Sequence, residues 1–348
     1  MRKIIFRVIS TVTILSMLML SAFATVMTEP VFAKVVKPPK PSVSISAILV
    51  TDAQGLGDFA FNDAAVVGLE LAEKKLKVKT SIIESHGYDE YLANIGVAMG
   101  ESSDLIITSG FSMAEVTASA AAQSPSQKFA IIDAFVDAPN VASMLFKEQE
   151  GAFVVGVIAG LTTETNSIGC VIGGSWPVID KFVYGFQAGV QSVNANAEIQ
   201  IIDINTFGDP QAGYDAAISQ FDQGADVIYH VAGFSGVGVI NAAGDQGFWA
   251  IGCDVDQSNV NPNAVLCSMV KKVDTAIYLT MKSMIDGTFT GGIVEFGLKE
   301  YGVGYSDNAG NVSDETAAIV KKYEKAIRNG TIVVPYDAET YNEFLKTI

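Results

Sequence analysis

Short apolar runs alternate along this chain with longer stretches in which apolar residues recur every three or four positions. The first pattern predicts buried strands and the second predicts helices with one face on a core. "SISAILVT" (44–51) leads into a predicted helix from Asn62 to about Lys77. "VKTSIIES", a helix around Tyr88 to Gly100, "DLIITSG", a helix from Met113 to Ala122, and "FAIIDAF" complete a first series. A second series starts after "NVASMLF", with a helix from Glu150 to Leu161. It runs on through "SIGCVIGG", helix Val178 to Val193, "EIQIIDINT", helix Gln211 to Gln223, "DVIYHVAG", helix Val237 to Gln246, "WAIGCDV" and "AVLCSMV". Strands spaced by helices mean βαβ units, and each series holds enough strands for its own doubly wound parallel sheet.

The apolar runs stop at small or acidic residues: Asp52, Gly110, Asp133, Gly173, Gly233 and Asp254. In open α/β sheets the carboxyl ends of the strands form the ligand crevice. The first such loop, "VTDAQGLGDFAFNDAAVVGLE", carries Asp52, Asp58, Phe61 and Asn62 to that side. Phe234 occupies the equivalent loop of the second series. A lone loop phenylalanine is ordinarily a plug on its own domain, whereas two on facing domains can grip a flat ring. Asn62 can donate to and accept from a heterocycle edge, and it can equally serve as a helix N-cap. Asp52 and Asp133 can accept from hydroxyls or act as turn acids, and Lys271 after "AVLCSMV" can be a ligand contact or a surface charge.

The first residues change the picture of where the chain works. Arg2, Lys3 and Arg7 precede an apolar stretch from Val8 to Val26, and "VFA" offers a cleavage site after Ala33, with Ala24 as the alternative. An uncleaved anchor is the other reading of this segment. Residues 1–33 are read as a signal peptide and the Pro- and Lys-rich 34–43 as a linker. The protein is expected outside the cytoplasm, soluble, periplasmic or extracellular. The 348-residue chain has 22 Lys and Arg against 38 Asp and Glu, a formal net charge of −16. Cleavage makes it more acidic still, because the signal holds three cations and one acid, Glu29. Such a surface disfavours nucleic acid and anionic lipid.

Catalytic chemistry is poorly supplied. The two histidines, His86 and His230, stand apart, one after a strand end and one inside a strand. There is no P-loop, no G-x-S-x-G elbow and no metal-ligand spacing. Gly233, Gly236 and Gly238 after a strand give only a broken form of the dinucleotide turn. Cys170, Cys253 and Cys267 lie in apolar runs and read as buried thiols, with a Cys253–Cys267 bridge as the alternative. No metal or cofactor is expected.

The opening loop, together with "KFAIIDA", "NVASMLFKEQEGAFVVGVIAGL", "IGCVIGG", "FVYGFQAGV", "GADVIYHVAGFSGVGVINAA", "AIGCDVDQ" and "SMVKKVD" in that order, resembles the basic membrane protein (BMP) family of ABC-transporter substrate-binding proteins. The resemblance runs from about residue 44 to the end. It implies a type I periplasmic-binding-protein fold: two doubly wound α/β domains joined by hinge strands near Leu145 to Glu150, Met269 to Lys272 and Glu295 to Tyr301. The expected domains are 44–147 plus about 271–296, and 148–270 plus about 297–348. Characterised members are chiefly purine nucleoside receptors that hold the base between two aromatics. Carried over, Phe61 and Phe234 become the ring clamp, Asn62 and Asp52 the base-edge contacts, and Asp133, Asp254 and Lys271 the ribose contacts. Gly110, Phe111, Trp176, Gly233 and Gly236 are expected around the same crevice.

This chain departs from the pattern in carrying Phe59 where relatives commonly have Lys, in its Phe234, in Trp176, and in having no lipobox cysteine. The implied function is capture of a purine nucleoside by a monomeric receptor and its delivery to a membrane permease. The alternatives are a receptor for another planar or sugar-like ligand such as a flavin, a nucleoside-processing enzyme using Asp133 or Asp254, or a sensor.

Overall fold

The computed structural model describes residues 45–348. The signal-peptide and linker expectations, residues 1–43, lie outside the described residues. Two six-stranded sheets account for every strand described.

The first sheet contains β1 (Ser46–Val50), β2 (Lys79–Ile83), β3 (Leu105–Thr108), β4 (Lys128–Ile132) and β5 (Val141–Phe146), plus β11 (Gly292–Phe296) from late in the chain. Its order is β11-β5-β4-β3-β1-β2, and every pairing is parallel. The second contains β6 (Ser167–Ile172), β7 (Glu198–Asp203), β8 (Val227–Val231), β9 (Trp249–Gly252), β10 (Val265–Lys271) and β12 (Val303–Ser306), in the order β12-β10-β9-β8-β6-β7. Only its β10–β12 pairing is antiparallel. Each sheet reverses strand order about its first strand, so each has a switch point with a crevice outside the carboxyl ends. Central strands β3, β8 and β10 are buried along their whole length, which is why they read as unbroken apolar runs rather than alternating ones.

The helices fall close to where the 3.6-residue period puts them: α1 (Phe61–Leu76), α2 (Tyr91–Gly100), α3 (Ala114–Gln123), α4 (Glu148–Thr162), α5 (Pro177–Gln191), α6 (Pro210–Asp222) and α7 (Ser235–Gln246). Three further helices, α8 (Val273–Asp286), α9 (Asp314–Arg328) and α10 (Ala338–Phe344), follow in the part that the pattern left unassigned.

The chain crosses between the sheets three times. Helix α4, entered from β5 through Lys147, packs on β10 and β12 of the second sheet. Helix α8, entered from β10 through Lys272, packs on α1 of the first lobe. The third crossing joins β11 to β12. The three are tied side by side: Lys147 N donates to Phe296 O at 3.0 Å, and Lys272 N donates to Gly302 O at 2.8 Å. All three cysteines are buried and free, so Cys253 and Cys267 do not pair.

Candidate functional site

The loop after β1 is built around one carboxylate. Asp58, buried, accepts from Ala60 N at 2.9 Å, Asn62 N at 2.7 Å and Asp63 N at 3.1 Å. It therefore does the capping at the start of α1, where Ala60 offers no side-chain bond. Burial pushes Asp58 up to about 6, against those three backbone bonds. Asp63 in turn accepts from Gly57 N and Phe59 N at 2.9 and 3.0 Å. The loop is stitched tightly enough to fix Phe61 at the first position of the helix.

Asn62 is thereby freed of the capping role. Its Nδ2 donates to Asp52 Oδ1 at 2.7 Å, and its Oδ1 accepts from Ser109 Oγ at 3.0 Å. It is fully buried. Asp52 Oδ1 also accepts from Gln54 N at 3.0 Å. Burial raises the Asp52 pKa above the ordinary carboxylate range, opposed by the Asn62 and Gln54 bonds and reinforced by the charge of Asp133.

Across the crevice, Lys271 at the end of β10 is 3 % exposed. Its Nζ lies 2.5 Å from Asp133 Oδ2 and 3.5 Å from Glu148 Oε1. The rings of Phe61, Phe146 and Phe182 surround it with centroids 5.0, 5.3 and 5.4 Å away. Burial works against this charge, but Asp133, Glu148 and Asp254 outweigh it and raise the Lys271 pKa. Glu148 is shared with Lys181, whose Nζ lies 3.0 Å from Glu148 Oε2 and also donates to Phe146 O at 2.9 Å.

Asp133 and Asp254 are counterparts. Each follows the fourth strand of its sheet's βα series, and both have left-handed backbones, φ 65° and 67°. Each is bonded to the neighbouring strand, Asp133 N to Met144 O at 3.0 Å and Lys271 N to Asp254 O at 2.9 Å. Non-glycine residues held at positive φ are uncommon and tend to mark functional turns. Asp133 Oδ1 and Asp254 Oδ1 are buried and accept no hydrogen bond among the described residues. Burial raises Asp254, reinforced by the charge of Asp133 and offset by the charge of Lys271 and by a hydrogen bond from the Cys253 thiol to the carboxylate.

One cavity opens between the two lobes here, with about 730 Å³ of space including its open mouth. Asp52, Phe61, Gly110, Phe111 and Asp133 line it from the first lobe, and Gly233, Asp254 and Lys271 from the second. The remaining sequence candidates sit elsewhere. Asn62 lies behind Asp52. Trp176, half exposed, tilts against Phe111 at 5.4 Å between ring centroids. Gly236 faces the His230 ring, where a Cβ would come within 2.0 Å, so it is a packing glycine. Phe234 stacks on Phe59 at 6.4 Å and 21° instead of lining the cavity.

The second-lobe aromatics in the cavity are Phe182 and Phe207. Phe207 follows β7 and lies flat over Gly173, whose Cβ would come within 2.5 Å of the ring. It stands just before the Asp209 cap of α6, the same strand-to-helix position that singled out Phe61, so the same rule would have found it. Phe182 on α5 is indistinguishable in sequence from a core residue. Tyr91, which accepts from Ala53 N at 2.8 Å and pairs with Ser112 Oγ at 3.0 Å, completes the wall.

No group of His, Cys, Asp and Glu among the described residues is placed to hold a metal. Chemically, the cavity offers apolar faces for a flat ring, fixed carboxylates for donors, and one cation already committed to acids. Two lobes with a crevice of this kind between them define a solute receptor. The family model for "ABC transporter substrate-binding protein PnrA-like" matches residues 45–338, and the chain belongs to this Bmp family. The "CD4+ T-cell-stimulating antigen" of Listeria monocytogenes is 34% identical, covering 85% of this chain and 89% of that protein. "Basic membrane protein A" of Borreliella burgdorferi is 33% identical over 83% and 87%. A solved ABC-transporter solute-binding protein from Aeropyrum pernix is similar at TM-score 0.77 and 31% identity, covering 87% of this chain and 96% of that one. The fold is thus that of the periplasmic binding proteins, and such receptors work outside the cytoplasmic membrane. No helix among the described residues is long and apolar enough to cross a membrane.

Proposed function

We propose that this receptor captures a purine nucleoside between its lobes and delivers it to the permease of an ABC transporter. The observation that carries the reading is the pair Asp133 and Asp254. Two buried carboxylate oxygens without protein donors, one from each lobe, flank a lysine that is itself pinned in place. A buried acceptor left unpaired is costly, and two neighbouring hydroxyls of a ribose would satisfy both. Phe61 and Phe207, one from each lobe, suit a base lying flat, and Asp52 suits a donor on its edge. Phe207 takes the place first given to Phe234. The three crossings serve as the hinge about which the lobes close on the ligand.

A phosphorylated ligand fits badly, because Asp52, Asp133 and Asp254 share the cavity with Lys271 as its one lining cation. To test the proposal, the protein is purified from its host, denatured, and the released small molecules identified by mass spectrometry. Stoichiometric guanosine, inosine or adenosine is expected; a sugar, flavin or nucleotide in that amount would refute it.

A further inference from the structure

The His230–Gln257 pair lies outside the cavity and is built with unusual care. Both side chains are fully buried. Gln257 Oε1 accepts from Cys253 N at 2.9 Å and sits 2.7 Å from His230 Nε2. Because the Cys253 N–H must meet an oxygen, the amide cannot be turned over, and His230 donates from Nε2 as a neutral imidazole. Burial holds His230 down at about 4, so it stays neutral near neutral pH. Two glycines make the slot. A Cβ on Gly252 would come within 2.7 Å of Gln257 Oε1, and one on Gly236 within 2.0 Å of the His230 ring.

The product of this arrangement is a single aimed donor. Gln257 Nε2 points out of the second lobe and donates to Phe59 O at 3.2 Å, across the mouth of the crevice. Phe59 is held to receive it: its backbone is left-handed, φ 51°, and its N–H is bound by Asp63. The Phe59 ring, half exposed, stacks on Phe234 of the second lobe. One residue of the first lobe is therefore clasped through both its carbonyl and its ring. Neither contact involves the cavity wall, although Phe59 is two residues from Phe61.

We propose that Phe59 is the catch of an interlobe latch, with Gln257 and Phe234 as its keeper, and that this latch holds the receptor closed without ligand. Such a device changes affinity and exchange through the population of the closed form rather than through ligand contacts. It also accounts for an aromatic beside Asp58 and for the Gly236 that the cavity does not use.

The test is small-angle X-ray scattering on ligand-stripped protein, which needs no assumption about the ligand. Losing the ring pair should lower the closed-to-open ratio roughly threefold to tenfold. Phe59→Ala and Phe234→Ala should each raise the radius of gyration above that of the wild type. The double variant should open no further than the larger single effect, since one contact is removed twice. The Phe59 ring is half exposed and Phe234 is only partly buried, so unchanged circular dichroism is expected and a folding failure is recognisable. Gln257→Glu keeps an oxygen for Cys253 and His230 while setting a carboxylate against Phe59 O, and should open the protein at pH 8. An unchanged radius in both ring variants would overturn the latch. Opening in those two alone would overturn the part assigned to Gln257. A failed nucleoside assignment would leave all of these outcomes as they are.

Discussion

Asn62 Nδ2 donates to Asp52 Oδ1 at 2.7 Å, so the residue that sequence places at the ligand instead holds the one that faces it. The amide is engaged at both ends, with Ser109 Oγ donating to its oxygen. Asp52, lying over the crevice, is presented in one orientation as a result.

Asn62→Asp should therefore injure the empty protein as well as ligand binding. At pH 8 it sets two buried carboxylates within bonding distance, and a buried unpaired charge costs on the order of 3–5 kcal/mol. A melting temperature several degrees below wild type is expected at pH 8, with partial recovery at pH 5, where one proton can be shared between the pair. Melting curves at the two pH values decide it; a variant as stable as wild type at pH 8 would show that Asn62 is not the support of Asp52.

Phe61→Ala and Phe207→Ala should each weaken nucleoside binding by roughly tenfold to a hundredfold, from about 1–3 kcal/mol per aromatic–base contact. The radius of gyration of the empty protein should not move, which separates these residues from Phe59 and Phe234. Calorimetry paired with scattering gives both readouts. Wild-type affinity in Phe207→Ala would return the second-lobe aromatic to the unassigned.

The predicted helices and strands up to β10 were legible because buried parallel strands leave apolar runs and their helices a 3.6-residue period. What the pattern could not give was side-chain direction within a loop. Phe59, Phe61 and Asn62 are nearly adjacent, yet one faces the other lobe, one the cavity and one the core, and the Asp58 bonds decide which. Phe234 looked equivalent to Phe61 by position, but Phe207, one strand-to-helix loop earlier, lines the cavity. His230, placed inside a strand by the sequence pattern, is buried in the sheet. Gln257 carried no signal, since its partner stands 198 residues away.

His230 should make the protein acid-sensitive. Its pKa is about 4 in the folded protein against 6.5 as a free side chain, lowered by burial. Between those values the unfolded chain holds the extra proton, so stability falls as pH drops from 6.5 to 4, at up to about 1.4 kcal/mol per pH unit. Asp58, raised to about 6, runs the other way: its contribution is present below its ordinary value near 4 and lost as pH rises through 6. Comparison with His230→Gln cancels the Asp58 part. Urea unfolding at pH 7 and pH 4.5 should show the wild type losing more stability than the variant; equal losses would mean that the imidazole can be protonated in place.

On the proposed reading, Asp133 and Asp254 together hold the two hydroxyls of a ribose. Calorimetric titration of ligand-stripped protein with guanosine, 2′-deoxyguanosine, guanine and guanosine monophosphate, and their inosine and adenosine counterparts, tests it most directly. A missing hydroxyl leaves a buried carboxylate oxygen unpaired, worth roughly 1–3 kcal/mol, so the deoxynucleoside should bind about tenfold to a hundredfold more weakly. The free base should be weaker again. The monophosphate brings about two negative charges to a cavity already rich in acids and should be far behind. Equal affinity for ribo- and deoxynucleoside, or a monophosphate that binds as tightly as the nucleoside, would mean that Asp133 and Asp254 do not hold the ribose hydroxyls.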